Sequence, residues 1–237
     1  MEKRYPIVLL IITIIILLPL SIATGAEKKG EEMAHNIHWL GHDTFKITGE
    51  KVLYTDPFRL KKGEIADIIL VTHEHHDHCS PEDIQKIQGS NTVIVTTADC
   101  AKKLSGKIVT IKPGDRITVA GIQIEVVPAY NTNKQFHPKE KGWVGYIFTL
   151  DSKRIYLAGD TDYLPEMKTY KGIDVALLPV SGTYVMTADE AVKAALDIGP
   201  KLAIPMHYGS IVGSQKDAEI FAEKLRGKME VNILTAE

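Results

Sequence analysis

Four of the nine histidines in this 237-residue chain fall between positions 73 and 78, in the run Val71-Thr-His-Glu-His-His-Asp-His-Cys-Ser80. What flanks that run limits what the chain can fold into. Before it, Ile65–Thr72 is nearly all apolar and β-branched, as a strand buried on both faces should be. After it, Ser80 offers an N-cap, Pro81 suits the first helical position, and Glu82 and Asp83 complement a helix N-terminus. The polar run therefore occupies the turn from a buried strand into a helix, where open α/β sheets present ligand groups. Residues two apart in an extended segment face the same way, so His73 and His75 can converge on one metal ion. Asp77 and His78, at the turn, swing toward a neighbouring position and can hold a second. His76 should point away, into packing or solvent. Imidazole and carboxylate suit Zn²⁺, with Mn or Fe as alternatives. A merely solvated histidine-rich turn would need neither the preceding strand nor Asp77.

The rest of the chain predicts an α/β sandwich rather than a single parallel sheet, because strands dominate early and helices interleave later. Strands are expected at 37–40, 44–47, 52–55, 65–72, 92–96, 107–111, 116–119 and 123–128, with a short helix over 98–104. Beyond a loop at 129–142, further strands are expected at 144–150, 154–158, 175–179, 202–206 and 231–234. Thr187 and Glu190 form a capping box for a helix that Gly199-Pro200 stops, and Ser214–Leu225 reads as another.

At the other end of the chain, Glu2, Lys3 and Arg4 precede an apolar run from Pro6 to Ala23 that finishes in small residues. That is the pattern of a secretory signal, with an uncleaved membrane anchor as the rival reading; the apolar stretch is short against the roughly 20 residues a spanning helix needs. Residues 1–26 are accordingly read as this segment, 27–34 as a charged linker, and 35–237 as one domain delivered outside the cytoplasm. Membrane contact is expected only through the N-terminal segment. Lys and Arg number 28 against 30 Asp and Glu, so no cationic surplus supports nucleic-acid binding. Two cysteines, Cys79 and Cys100, are too few for a disulfide scaffold or a four-thiolate site. One bridge between them remains open.

Those residues resemble the signature of the metallo-β-lactamase superfamily, hydrolases built as a four-layer αβ/βα sandwich with a dinuclear metal site between the sheets. His73, His75, Asp77 and His78 match its H-x-H-x-D-H motif. Tyr54-Thr-Asp-Pro57 resembles the first motif, which implies that Asp56 stands behind the ligands. Leu157-Ala-Gly-Asp-Thr-Asp162 resembles the fourth and implies Asp160 as the carboxylate bridging two metals. Ile204-Pro-Met-His-Tyr-Gly209 resembles the fifth and implies His207 as completing the second metal. Trp39-Leu-Gly-His-Asp-Thr-Phe45 is similar to the opening of a subgroup that includes N-acyl phosphatidylethanolamine phospholipase D and the ascorbate-phosphate lactonases.

One position departs from the pattern. The superfamily's third motif places a histidine just after the strand equivalent to 123–128, where this chain reads Pro128-Ala-Tyr-Asn131. A hydrolytic zinc usually keeps three protein ligands and an open position, and an amide is a poor substitute for imidazole. The next imidazole is His137, six residues on in a loop, and extended residues cover roughly 3.3 Å each, enough to double back. His137 is therefore expected to fill the gap.

The resemblance implies two divalent ions and a metal-bound hydroxide attacking an ester-like substrate of phosphodiester or lactone class. Asp77 would be the catalytic residue, holding the water and accepting its proton. The expected partner is a small-molecule substrate; His42 and Tyr208 are polar candidates for contacting it, with a packing role equally open for each. The rival functions are an exported β-lactamase-type amide hydrolase and a non-catalytic metal-binding module. Oligomeric state is not written in these residues.

Overall fold

The β-branched segments assemble into two sheets that face one another across a single apolar core, in a computed structural model that describes Met1 and residues 34–237. The segment read as an export signal, apart from Met1, and the linker, apart from Ala34, lie outside the described residues. Among the described residues no helix is long and apolar enough to cross a membrane.

The first sheet runs in chain order through β1 (Ile37–Gly41), β2 (Thr44–Ile47), β3 (Leu53–Thr55), β4 (Ala66–Leu70), β5 (Gln88–Thr96) and β6 (Lys107–Thr110). Its first three strands are antiparallel and the remainder pair in parallel. The second sheet comprises β7 (Arg116–Val119), β8 (Ile122–Pro128), β9 (Val144–Leu150), β10 (Lys153–Leu157), β11 (Val175–Pro179), β12 (Leu202–Met206) and β13 (Glu230–Val231). It repeats the plan, an antiparallel meander followed by parallel strands.

β4 shows why its sequence is apolar throughout. Ile68 and Leu70 face the core between the sheets, while Ile69 and its neighbour Val71 face a second apolar cluster with Ile84, Ile87, Cys79 and Cys100. That outer cluster seats α1 (Pro81–Ile87) and α2 (Ala98–Ala101). On the far side of the second sheet lie α3 (Ala188–Ile198) and α4 (Gln215–Leu225). This is the expected four-layer sandwich. The capping expectations hold as well: Ser80 accepts from Asp83 N at 3.3 Å, the Thr187–Glu190 box is closed, and Gly199 ends α3 in a left-handed conformation.

Two elements are shorter than predicted. The helix expected over 98–104 is a single turn, because Ser105-Gly106 redirects the chain into β6, with Gly106 at φ 111°. The last strand stops at Val231, its final bond passing from Asn232 N to Ala203 O at 3.0 Å. Cys79 and Cys100 are buried free thiols, with no disulfide between them.

Candidate metal centre

Every group predicted for the site hangs from the same end of the two sheets. β4 releases the histidine run, β3 ends at Asp56, the β1–β2 turn carries His42 and Asp43, β10 leads into Asp160 and β12 into His207. Gly159 makes one of these turns possible. At φ 64° it lies so close to Val144 O and the Thr72 methyl that an added Cβ would meet them at 3.0 and 3.1 Å.

Three imidazoles form a first cluster. His73 Nε2 lies 3.0 Å from His75 Nδ1, and His137 Nε2 lies 3.1 Å from that same nitrogen. Ligands on a tetrahedral zinc with 2.0–2.1 Å bonds stand about 3.3 Å apart, so this spacing fits nitrogens converging on one small cation. His137 thus stands beside the two motif histidines. Asn131, in the place of the missing histidine, shapes the loop that delivers it. Its backbone N–H donates to His137 O at 2.8 Å, and its side-chain amide donates to Phe136 O at 2.9 Å and Tyr184 O at 2.6 Å. The buried Asp162 carboxylate fastens the same loop, accepting from Thr132 N at 2.7 Å and pairing with Lys134. Trp143 closes the floor, its ring centroid 4.8 Å from those of both His73 and His75.

The second cluster gathers His42, Asp77, His78 and His207, with Asp43 beside it. Asp160 stands between the clusters, 3.1 Å from His137 Nε2, 3.2 Å from His207 Nε2 and 3.5 Å from His78 Nε2. Its position suits the bridging role that the resemblance implied.

Hydrogen bonds behind the rings fix which nitrogen faces inward. Thr72 gives its hydroxyl proton to Asp56 at 2.7 Å, leaving the same oxygen to accept from His73 Nδ1 at 2.9 Å. His78 Nδ1 donates to Asp56 at 2.9 Å, His137 Nδ1 to Tyr184 O at 3.1 Å, and His207 Nδ1 to Ser181 Oγ at 3.0 Å. Each ring so held turns Nε2 toward the centre. His78 Nε2 and Asp160 Oδ1 are enclosed there with no hydrogen-bond partner. Five inward nitrogens, one of them orphaned, and an orphaned carboxylate oxygen make a donor set that fits divalent cations.

Electrostatics separate the two clusters. Burial holds His73 well below the ordinary imidazole value, with the His78 charge adding to it, and lowers His75 as well. Burial also opposes the charged forms of His78 and His207. There the carboxylates win: Asp160 and Asp56 raise His78 well above its ordinary value, while Asp160 and Asp43 raise His207 to about 8. Burial likewise opposes the Asp77 carboxylate. A hydrogen bond at 3.1 Å from His42 and the nearby His78 outweigh it, holding Asp77 well below the usual carboxylate range.

Most of these groups are sealed from solvent. His73 and His78 are at most 1% exposed and Asp160 is 4% exposed, against 15% for the Asp77 side chain. Access therefore lies on the His75–Asp77 side. His76 points out to solvent, its side chain 82% exposed, as expected. Tyr208 packs its ring 4.8 Å from Trp39, and its hydroxyl is enclosed without a hydrogen-bond partner among the described residues. His42 sits in the second cluster, its ring 4.2 Å from His207, and burial lowers it to about 4, so it is a neutral donor to Asp77. Sequence reasoning gave no role to Asp43, Ser181 or Trp143, whose positions depend on how distant turns pack. For Asp43 a signal existed, a carboxyl within the Trp39–Phe45 motif; burial raises it to about 8.

The sequence itself matches a Beta-lactamase superfamily domain over residues 36–207. The chain belongs to the metallo-β-lactamase superfamily. Within that superfamily it groups with the UPF0173 metal-dependent hydrolases. It is 35% identical to TK0141 of Thermococcus kodakarensis over 214 residues, 84% of this chain and 95% of that protein. It is 34% identical to Ta0764 of Thermoplasma acidophilum over 200 residues, 78% of this chain and 88% of the relative. A crystal structure from Parabacteroides distasonis, of a protein named for metal-dependent hydrolysis, superposes with a TM-score of 0.76 at 39% identity, covering 83% and 91% of the two chains. Igni18, a metallo hydrolase from Ignicoccus hospitalis, supports the fold at a TM-score of 0.70 and 24% identity, covering 84% and 94%. This metallo-β-lactamase superfamily member is a metal-dependent hydrolase, and the two clusters are its candidate metal sites.

Proposed function

We propose that the chain hydrolyses an ester-like bond, of phosphodiester or lactone class, with two divalent cations, zinc first among them. His73, His75 and His137 would hold one, Asp77, His78 and His207 the other, and Asp160 would join both. The observation that carries this reading is the meeting of His137 Nε2 with His75 Nδ1 at 3.1 Å, since it completes a three-imidazole set that the motif alone leaves short.

When bound, such cations supply Lewis acidity that brings water toward ionisation near neutral pH and offsets charge developing on the substrate. The protein's own work falls first to Asp77, the most solvent-accessible carboxylate among the site's acids. His42 fixes Oδ2 by its 3.1 Å hydrogen bond, which orients the carboxylate and keeps it ionised. Asp77 takes a proton from the attacking water as the water oxygen bonds to the acyl carbon or phosphorus. It then returns that proton to the leaving oxygen as the ester bond breaks. Buried Asp56 and Thr72 do no chemistry; they hold the rings of His73 and His78 in register.

The test is a screen of the purified full chain, loaded with zinc or manganese, against 4-nitrophenyl esters, lactones and bis(4-nitrophenyl) phosphate. Turnover that a chelator abolishes and added metal restores is the expected result. Hydrolysis of none of the three classes would contradict the reading. The apolar N-terminal segment supports a domain acting outside the cytoplasm on a small molecule; a reporter fused after residue 30 that stays cytosolic would sink that part.

A further inference from the structure

Eight non-glycine residues among those described take a left-handed backbone. Ala120, Asp151 and Ser152 do so in the tight turns of the β7–β8 and β9–β10 hairpins, where such conformations are routine. His42, Asp56, His137 and His207 do so within the metal centre. The eighth, Arg59 at φ 52°, is in neither class. Strained backbone persists only where its surroundings over-determine it, and it collects at working sites.

The surroundings of Arg59 do over-determine it. The Asp83 carboxylate on α1 accepts the backbone N–H groups of both Arg59 and Leu60 at 2.9 Å. Lys86 pairs with that carboxylate at 2.9 Å and donates to Leu60 O at 3.0 Å. The side chain aimed by this turn is exposed. Its guanidinium lies 4.9 Å from the centre of the Phe58 ring, and Nη1 donates to Ser210 Oγ at 3.3 Å. Phe58 in turn stands 6.0 Å from the His42 ring and 5.8 Å from His76, while Ser210 follows His207 by three residues. Arg59 therefore spans two loops that rim the second cluster, beside a cleft of about 630 Å³. Lys86 on the same cleft is spent on Asp83 and Glu82. Arg59 has no carboxylate partner among the described residues; its contacts are one hydroxyl and one aromatic face. A guanidinium carries five donors in a fork that matches an oxyanion, and most of this one remains unused.

We propose that Arg59, with Ser210, is an oxyanion-recognition subsite: the substrate carries a carboxylate or phosphate group beyond the scissile bond, and the guanidinium takes it in paired hydrogen bonds. The proposal rests on the ester-hydrolase reading and adds the charge of the substrate to it.

Two probes with one leaving group test it in the metal-loaded full chain: mono(4-nitrophenyl) succinate, which carries a remote carboxylate, and neutral 4-nitrophenyl butyrate. The wild type should prefer the succinate ester, and Arg59→Gln should cut the ratio of the two kcat/KM values about tenfold, chiefly through KM of the anionic ester. Arg59→Lys, keeping charge but not the fork, should restore part of the preference. The wild-type preference should also shrink as salt rises from 0.05 to 0.5 M. A ratio unchanged in Arg59→Gln would overturn the proposal. If the wild type cleaves neither ester, the ester reading fails on its own account, and succinate binding by calorimetry decides the subsite: affinity about tenfold weaker in Arg59→Gln supports it, and equal affinity overturns it.

Discussion

The two halves of the centre solve one problem by different means. The first cluster is three imidazoles resting on Trp143, with His73 and His75 neutral through burial. The second cluster is laced with acids. Asp160 and Asp43 raise both His78 and His207, and Asp56 adds to the effect on His78. Protons can therefore occupy the second cluster near neutral pH, whereas the inward nitrogens of the first have only each other and Asp160 to face. If both clusters hold cations as proposed, the first would need its cation to satisfy its nitrogens, while the second would trade a cation against protons.

The largest expected effect comes from removing what the clusters share. Asp160→Ala should strip both sites of a ligand, leaving less than one ion per chain and cutting turnover on the order of 10³-fold, the equivalent of roughly 4 kcal/mol of transition-state stabilisation. Metal analysis beside kinetics checks this. A variant that still holds two ions would break the bridge.

His137→Ala should divide the clusters. Metal content should fall to about one ion per chain, with the second cluster still filled, because His137 lies 3.1 Å from His75 and Asp160 but contributes nothing to Asp77, His78 or His207. Loss of both ions together would make the clusters one cooperative unit. A smaller effect is expected from Asp162→Asn, which keeps the shape but weakens the Lys134 tether of the loop. Affinity at the first site should drop about 10- to 100-fold, as for other groups that orient a ligand. A cobalt titration followed by absorbance would read it.

The smallest effect is one of pH. With His207 raised to about 8, its proton must leave before that nitrogen can ligate. Affinity at the second site should therefore fall about tenfold per pH unit, per proton displaced, as pH drops below about 8. The first site should show a shallower slope over the same range, since burial lowers His73 and His75 below the ordinary imidazole value. In metal-free protein the sign reverses. The raised histidines stabilise the fold fully below pH 6.5, and that contribution is lost as pH rises through about 8. Equal pH slopes for two resolved binding steps would erase the contrast drawn between the clusters.

Sequence legibility follows the same division. Local signals were enough for β4, α1 and the histidine run between them, because a nearly unbroken apolar run, a serine cap and an N1 proline all act within a dozen residues. His73, His75, Asp77 and His78 were legible for that reason, and Asp160 and His207 through the order of motifs at strand ends. His137 was reached only because a ligand was missing. Its actual supports, Asn131 on Tyr184 O and Asp162 on Thr132 and Lys134, join residues 28 to 53 positions apart, which no local pattern encodes. Ser181 and Trp143 escaped for the same physical reason. Tyr208 stayed open between packing and substrate contact in the sequence, because a tyrosine beside a site histidine reads alike in both roles; the structure adds its packing against Trp39.

The central claim is that a loop histidine six residues beyond the usual place completes the first of two metal sites. Crystals of the zinc-loaded chain, with anomalous scattering measured on both sides of the zinc edge, test it directly. The account predicts two zinc peaks flanking Asp160, one of them bonded to His137 Nε2 together with His73 and His75. A single peak held by His78 and His207, with His137 turned away from it, would contradict the account.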